Sequence, residues 1–322
     1  MANLKEVRNR IVSVSSTQQI TSAMKMVSAA KLRRAQDAIT QMRPYASKLK
    51  EILENLSASL DSSDGQYSKQ RPVKNVLLVV ITSNRGLCGG FNANVLKAAS
   101  KLAREDYKGA NVSVLCIGKK ATDFFKKTEY GIIGSDMPRG LNELYDDLTF
   151  VNVAPVAEKI MQVFADGQFD KVDLIYNQFK NAAVQITTVE QYLPVQPPAV
   201  TEKKQSGEYI FEPSKEFIVA DLIPRSLKTQ LFKALLDSHA AEHGARMTSM
   251  HKATDNATQM LSDLQLQYNK ARQSSITNEM LEIVGGAEAL SGNKSFGISP
   301  FFVDPELREI DDEHDEEFLS KR

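Results

Sequence analysis

The chain has 322 residues, of which 42% are hydrophobic and 25% charged, an ordinary composition for a soluble protein of about two domains. Its 40 basic and 40 acidic residues cancel, which excludes a whole-molecule electrostatic attraction to nucleic acid or to an anionic membrane. The 2 cysteines are too few for a disulfide framework, and the longest apolar run, Val76–Ile81, is far shorter than the ~20 residues of a membrane-spanning helix. We therefore expect a reduced, cytoplasmic setting and no direct membrane span.

Residues 1–60 carry a helical pattern. Apolar side chains recur at steps of three and four at Leu4, Val7, Ile11 and Val14, as one face of a helix requires. Beyond Thr17 the apolar stripe changes phase and continues through Ile20, Met24, Val27 and Lys31. The pattern therefore predicts an irregular coiled coil rather than a strict heptad. Pro44 interrupts a spacing that resumes after it, so we expect one N-terminal helix up to residue 60.

Residues 73–193 have a different pattern, in which short apolar runs are separated by helical stretches. Val76–Ile81, Val112–Ile117 and Val172–Tyr176 are typical of strands. Asn92–Arg104 and Ala154–Ala165 are typical of helices between strands. This alternation predicts a Rossmann-like βαβ domain with a mainly parallel sheet. Residues 194–224, which contain several prolines, are predicted to be a linker.

Residues 225–290 contain no proline, and up to Val284 their only glycine is Gly244. The predicted helix would be about 100 Å long at ~1.5 Å per residue. Its apolar stripe needs a partner, and the N-terminal helix is the only comparable segment. The stripe comprises Leu231, Leu235, Met250, Ala253, Ala257, Met260, Leu264, Ala271 and Met280. We therefore expect an α/β domain inserted into a long antiparallel coiled coil of the two ends.

His239, Glu242 and His243 form an H-x-x-E-H pattern, in which two histidines one turn apart could bind zinc while the glutamate activates water. A catalytic zinc also needs a third protein ligand in a sheltered cleft. A rod offers no such cleft, so we expect these three residues to be surface polar side chains and predict no metal site.

The loop Ser83–Phe91 follows a strand and precedes a helix, where a phosphate-binding loop would lie. It lacks the Gly-Lys-Ser/Thr sequence and the Rossmann glycine spacing, and Gly118-Lys119-Lys120 also fails to match. We predict a tight turn whose glycines permit positive φ and close backbone packing, with Arg85 at its tip available for a contact. No cofactor is expected.

The N-terminal helix carries a basic cluster, Lys25, Lys31, Arg33 and Arg34. Such a cluster could meet nucleic-acid phosphates or an acidic protein surface. Aromatic side chains that would stack on bases are absent nearby, so we predict no nucleic-acid binding.

Five segments together resemble the gamma subunit of F-type ATP synthase, in the family's order and spacing from about Leu4 to Leu290. They are Thr17–Val27, Arg85–Gly90, Ala253–Ala257 with Tyr268–Gln273, and Ile276–Ala289. The resemblance implies that the terminal helices form a central shaft that turns inside a hexamer of alpha and beta subunits. It also implies rotary coupling of proton transport to ATP synthesis, at the cytoplasmic face of the membrane, with no catalytic residue in this chain.

The resemblance further implies contact residues. Met24, Lys25 and Arg85 would lie near an acidic loop of beta, and Arg272, Gln273 and Thr277 near its catch loops. The α/β domain would bind epsilon and the membrane c-ring. Two other classes stay open from the residues alone: a nucleotide-dependent enzyme whose helices only dimerise, and a coiled-coil scaffold unrelated to rotation.

Residues 291–322 extend beyond the point where the family's members usually stop. This extension carries nine acids, against Lys294, Arg308, Lys321 and Arg322. Our hypothesis is that Phe296, Phe301 and Phe302 dock on a partner while the acids stay solvated; plain disorder is the alternative.

Overall fold

The computed structural model describes residues 4–57, 66–132, 141–195 and 215–290. In sequence, the long helix α1 precedes a mixed α/β domain and the long helix α5 follows it. The helices are α1 (Leu4–Ser57), α2 (Phe91–Lys101, continued by a π-turn over Leu102–Asp106), α3 (Lys119–Phe125), α4 (Phe150–Ala165) and α5 (Lys215–Leu290), with a 3₁₀ turn at Leu141–Tyr145. The strands are β1 (Asn75–Ile81), β2 (Asn111–Ile117), β3 (Gly131–Ile132), β4 (Lys171–Phe179) and β5 (Gln185–Leu193).

The strands form one five-stranded sheet in the order β3-β2-β1-β4-β5. All neighbours are parallel except β4 and β5, which are antiparallel. The prediction of an α/β domain with a mainly parallel sheet is confirmed. The sequence patterns missed β3, β5 and α3. Strand β5 was missed because it is a half-exposed edge strand with alternating polar residues rather than an apolar run.

Both faces of β1 are covered, which explains why its sequence is apolar throughout. Leu77, Val79 and Ile81 face a core formed with α4 and with the N-terminal part of α5. Val76, Leu78 and Val80 face a second core, formed with α2 and α3. The inserted domain is therefore packed directly onto α5, through the side chains of Leu227, Leu231, Ala234 and Leu235.

Helix α5 begins at Lys215 and contains Pro224, so the predicted linker boundary at residue 224 is wrong. A proline inside a helix removes a backbone hydrogen bond at a cost of about 3 kcal/mol, which tertiary contacts on either side of it can offset. Here Ile223 and Leu227, on either side of Pro224, pack against the sheet's core. Pro44 also lies within a helix, α1.

The described residues form two compact units: Asn9–Leu264, and a smaller unit with residues 4–8 and 265–290. Within the larger unit, α1 and α5 run antiparallel. The Gln18 amide donates to Thr258 at 2.7 Å, and the Thr254 hydroxyl donates to Thr21 at 2.9 Å. At the other end of this unit, Leu32 packs in a cluster with Leu236. Residue numbers on one helix rise as their partners' numbers fall, which confirms the predicted antiparallel pairing.

The buried positions of α1 continue as a heptad, so the predicted change of phase at Thr17 is wrong. The inward positions beyond Val14 are mostly polar: Gln18, Thr21, Lys25 and Ser28, followed by Leu32, Ala35 and Ile39. Ile20 and Val27, which we expected in the stripe, are 60% and 58% exposed. On α5 the matching heptad runs through Met250, Thr254, Ala257, Leu261 and Leu264. Met260 is 52% exposed, contrary to the predicted stripe.

In the smaller unit, the guanidinium of Arg8 donates a hydrogen bond to the hydroxyl of Tyr268 at 2.9 Å. The last inward-facing position on α5 is Ser275, and residues 276–290 are all exposed. Met280, predicted to lie in the apolar stripe, is 62% exposed. No helix among residues 4–57, 66–132, 141–195 and 215–290 is long and apolar enough to cross a membrane.

Candidate partner-contact surfaces

The loop between β1 and α2 is a tight turn with left-handed backbone at Leu87 (φ 63°) and Gly89 (φ 58°). The hydroxyl of Ser83 donates to the carbonyl of Arg85 at 2.6 Å and fixes the turn. A Cβ at Gly89 would lie 3.0 Å from the Ser249 hydroxyl of α5. The prediction of a glycine with positive φ in close packing is confirmed.

Arg246 of α5 joins this loop to the helix. Its guanidinium donates to the carbonyl of Arg85 at 3.1 Å and to that of Gly86 at 3.2 Å. It also forms an ion pair of 2.7 Å with Glu242, and the two side chains are only 7% and 10% exposed. Arg246 thereby satisfies two loop carbonyls and one buried carboxylate, which fixes the loop that carries Arg85.

The H-x-x-E-H residues are not surface side chains, so that expectation is wrong. Glu242 and His243 are buried, and the ring of His239 stacks on Tyr145. The helix is covered here because small residues, Ala240, Ala241, Gly244 and Ala245, let the loop and strand β4 approach closely. A Cβ at Gly244 would lie 3.2 Å from Cα of Ala182.

The rings of His239 and His243 are hydrogen-bonded to each other. Nε2 of His243 lies 3.1 Å from Nε2 of His239, and Nδ1 of His243 lies 3.5 Å from the Arg246 guanidinium, which can only donate. His243 therefore carries its proton on Nε2 and donates it to His239. Burial lowers the pKa of His239 to about 4 and that of His243 to about 3, so both rings are neutral. Burial raises the pKa of Glu242, and Arg246 opposes that rise.

A zinc site would need a third ligand. Among the described residues there is no group of three or more His, Cys, Asp and Glu side chains placed to hold a metal ion. His239 and His243 belong to the buried polar network around Arg246.

The backbone N–H groups that could receive a phosphate at the start of α3 are already used. Lys119 N–H donates to Oδ1 of Asn84, and Ala121 N–H donates to Oγ1 of Thr82. Gly118 adopts φ +104°, and a Cβ there would lie 2.1 Å from the carbonyl oxygen of Thr82. This geometry packs the chain against β1 and disfavours a phosphate site.

Three of the contact residues that the family resemblance implies, Met24, Lys25 and Arg85, lie in the larger unit. Nζ of Lys25 is 3.3 Å from Nδ1 of His251, so its amine faces the helix seam as well as solvent. Met24, the neighbouring residue on α1, is partly exposed. The side chain of Arg85 is exposed, whereas its carbonyl binds Arg246. Lys25 and the Arg85 loop therefore contact the same stretch of α5, residues 246–251.

The other three, Arg272, Gln273 and Thr277, lie in the smaller unit and are exposed on α5. The Thr277 hydroxyl donates to the Gln273 carbonyl at 3.0 Å within the helix. Arg272 and Gln273 are adjacent residues on one turn of α5, and both are exposed. Apolar side chains continue beyond them, with Met280, Leu281, Ile283 and Val284 between 55% and 71% exposed.

The sequence patterns did not single out Arg246, whose side chain positions the Arg85 loop. The signal that could have found it is the spacing of Glu242 and Arg246, four residues apart on a helix. These charges stand among small residues at 240, 241, 244 and 245, which indicates that both faces of the helix are closely packed.

Comparisons with known proteins agree with this architecture. A protein-family model described as "ATP synthase" matches residues 3–290. The "ATP synthase gamma chain" of Christiangramia forsetii is 61% identical over 293 residues, which cover 91% of this chain and 100% of the relative. A chain of the Euglena gracilis mitochondrial ATP synthase OSCP/F1/c-ring structure is similar at a TM-score of 0.60, with 20% identity, over 92% of this chain and 97% of that one.

A chain of the Tetrahymena thermophila mitochondrial ATP synthase central stalk/c-ring structure has a TM-score of 0.51 and 24% identity, over 73% of this chain and 99% of that one. At these identities the two structures show a shared fold. The family-model match to residues 3–290 and the 61% identity to the bacterial relative show membership of a family as well as a fold. This chain belongs to the ATP synthase gamma-chain family.

Proposed function

We propose that this chain is the central-stalk rotor subunit of an F-type ATP synthase and couples proton flow to ATP synthesis by rotation. The observation that carries the proposal is the antiparallel heptad pairing of α1 with α5, in a chain of the gamma-chain family. In such a pair the side chains of each helix pack into the other along the seam, so that one helix cannot bend without disturbing the packing of both.

Torque also has to pass between the α/β domain and the helices. The sheet's core includes Leu231 and Leu235 of α5, and Lys228 of α5 forms an ion pair of 2.6 Å with Glu158 of α4. The hydroxyl of Tyr192 donates to the carbonyl of Leu227 at 3.1 Å. Because apolar packing and buried hydrogen bonds combine here, the domain and α5 turn as one body within the larger unit.

In this proposal the chain has no catalytic site of its own and acts as a peripheral subunit on the cytoplasmic face of the membrane. Its partners are the alpha and beta subunits, epsilon and the c-ring. Met24, Lys25 and Arg85 contact an acidic surface of beta, and Arg272, Gln273 and Thr277 contact its catch loops. The partly exposed Lys25 and the exposed Arg85 supply the positive charge that such an acidic surface attracts.

The experiment is reconstitution of the complex from its purified subunits, in lipid vesicles, with this chain as the only variable. ATP-driven proton uptake and ATP hydrolysis are measured together. We expect hydrolysis coupled to proton uptake with the chain present, and hydrolysis without proton uptake when it is omitted. Equal proton uptake without the chain would contradict the rotor function.

The contact residues are tested in the same vesicles. Lys25→Glu and Arg85→Glu should each reduce coupled hydrolysis several-fold, because the acidic surface of beta would then meet a like charge. Lys108→Glu, on the exposed turn before β2, is the matched control and should leave coupling unchanged. Equal effects of all three substitutions would show that net charge matters rather than these positions.

A further inference from the structure

The amine of Lys25, a contact residue in the proposed function, is held across the helix seam by a histidine. Nζ of Lys25 on α1 lies 3.3 Å from Nδ1 of His251 on α5. One turn away along the seam, the hydroxyls of Thr254 and Thr21 form a neutral contact. The contact of Lys25 differs from that one because a histidine ring can gain a proton.

A carboxylate competes for the same ring nitrogen. Oδ2 of Asp255, one turn along α5, lies 3.4 Å from Nδ1 of His251. A histidine nitrogen with a lone pair can accept from an ammonium group, and one with a proton can donate to a carboxylate. Lys25 has nothing to accept with, and ionised Asp255 has nothing to donate. Nδ1 of His251 therefore satisfies only one of the two at a time.

The protonation state of His251 decides which of them it binds. In the neutral ring the proton lies on Nε2, and Nδ1 accepts from the ammonium group of Lys25. A histidine side chain is the one that ordinarily changes charge between pH 5 and pH 8. Once protonated, Nδ1 of the ring donates to Asp255, and the ring repels the ammonium group. Proton binding thus exchanges one contact for the other.

The surrounding charges leave the exchange to these three residues. The other charged residues on α1 and on the two turns that pack against residues 244–258 of α5 are basic. They are Lys31 on α1, Arg85 on the β1–α2 loop, Lys180 in the β4–β5 turn, and Arg246 and Lys252 on α5 itself. Arg246 is already paired with Glu242, and Cys88 of the loop is buried. Among the described residues of these segments, Asp255 is thus the one carboxylate placed to receive the protonated ring.

We propose that His251 is a positioning residue for Lys25. The neutral ring holds the amine at the seam; proton binding turns the ring to Asp255 and frees the amine for the carboxylates of a partner protein. The exchange within the chain stands by itself. Its consequence for the partner rests on the proposed function, in which Lys25 contacts an acidic surface of beta.

The exchange is tested in the free chain by acylation of its amines with N-hydroxysuccinimidyl acetate, followed by peptide mass spectrometry. Lys108, exposed on the turn before β2, is the internal reference for the effect of pH on the reagent and on amines. From pH 8 to pH 5 the rate at Lys25 relative to Lys108 should rise about two- to fivefold, as the loss of one exposed polar contact predicts. A constant ratio would overturn the proposal.

Two substitutions assign the rise to the ring and to its carboxylate. His251→Asn places an amide oxygen near Nδ1 without a titrating charge, so the ratio should keep its low value at every pH. The side chain of His251 is 56% exposed, so this change leaves the packing intact. In Asp255→Asn the rise should move to lower pH, because the protonated ring loses its carboxylate. A full rise in His251→Asn would refute the role of His251, and a rise at unchanged pH in Asp255→Asn would refute that of Asp255.

The consequence for the partner is measured in the assembled complex in lipid vesicles. Coupled ATP hydrolysis with His251→Asn, relative to the unchanged chain, should be equal at pH 8 and about two- to fivefold lower at pH 6. A flat ratio in vesicles, with the expected rise in the free chain, would refute the partner contact and leave the exchange intact. Failure of the rotor function itself would differ from both, since the unchanged chain would then show no coupling at any pH.

Discussion

The buried ion pair of Arg246 and Glu242 offers the sharpest test of how the Arg85 loop is held. Replacing Arg246 by Met keeps most of the side-chain volume, but it leaves the Glu242 carboxylate and the carbonyls of Arg85 and Gly86 without their donor. Breaking a buried pair by removing one partner costs about 3–5 kcal/mol of unfolding free energy. We expect Arg246→Met to lower the free energy of unfolding by about that amount.

A matched control exists on the same helix. Arg225 pairs with Asp221 at 3.0 Å with the same four-residue spacing, but their side chains are 59% and 54% exposed. Exposed pairs contribute about 0–1 kcal/mol, so Arg225→Met should change the free energy of unfolding by less than ~1 kcal/mol. Urea unfolding followed by far-ultraviolet circular dichroism measures both variants, and hydrogen exchange of the loop amides reports the local effect.

A double substitution tests whether the loss of stability comes from the unpaired, buried carboxylate of Glu242. Removing both charges, with Glu242→Leu and Arg246→Met together, should recover much of the loss, because no unpaired charge then stays buried. If Arg246→Met and Arg225→Met cost the same, burial does not strengthen the pair. The claim that Arg246 anchors the loop would then be refuted.

Two further predictions concern backbone space and pH. Gly118→Ala should cost at least about 3 kcal/mol of unfolding free energy, because the new Cβ would overlap the Thr82 carbonyl oxygen; Gly109→Ala, with similar φ but open space, should cost only about 1 kcal/mol of strain. Urea unfolding compares them, and equal costs would contradict the steric explanation. The lowered pKa values of His239 and His243 mean that the unfolded chain binds more protons below pH 6.5, so their contribution to stability is full above pH 6.5 and is lost as the pH falls towards 4 and 3. Substituting both histidines by glutamine should therefore flatten the fall of the urea midpoint between pH 7 and pH 5, and an unchanged slope would show that the pair does not titrate in that way.

The polar seam of the helix pair shows why periodicity alone misplaced part of α1. Apolar spacing pointed to Ile20 and Val27, yet Thr21 and Ser28 face the partner helix. Small polar side chains bury little area but hydrogen-bond within the seam, as Thr21 does with Thr254. A hydrophobic pattern cannot detect positions that are buried through hydrogen bonds.

The sequence by itself determined the strands β1, β2 and β4, the two long helices and their antiparallel pairing, because apolar runs and periodicity are local properties of the chain. It also carried the resemblance that places the chain in its family. Only the tertiary structure decided that Glu242 and His243 are buried, that Arg246 binds the Arg85 loop, and that α5 continues through Pro224. Each of these depends on contacts between residues far apart in sequence, whose energies no local pattern contains.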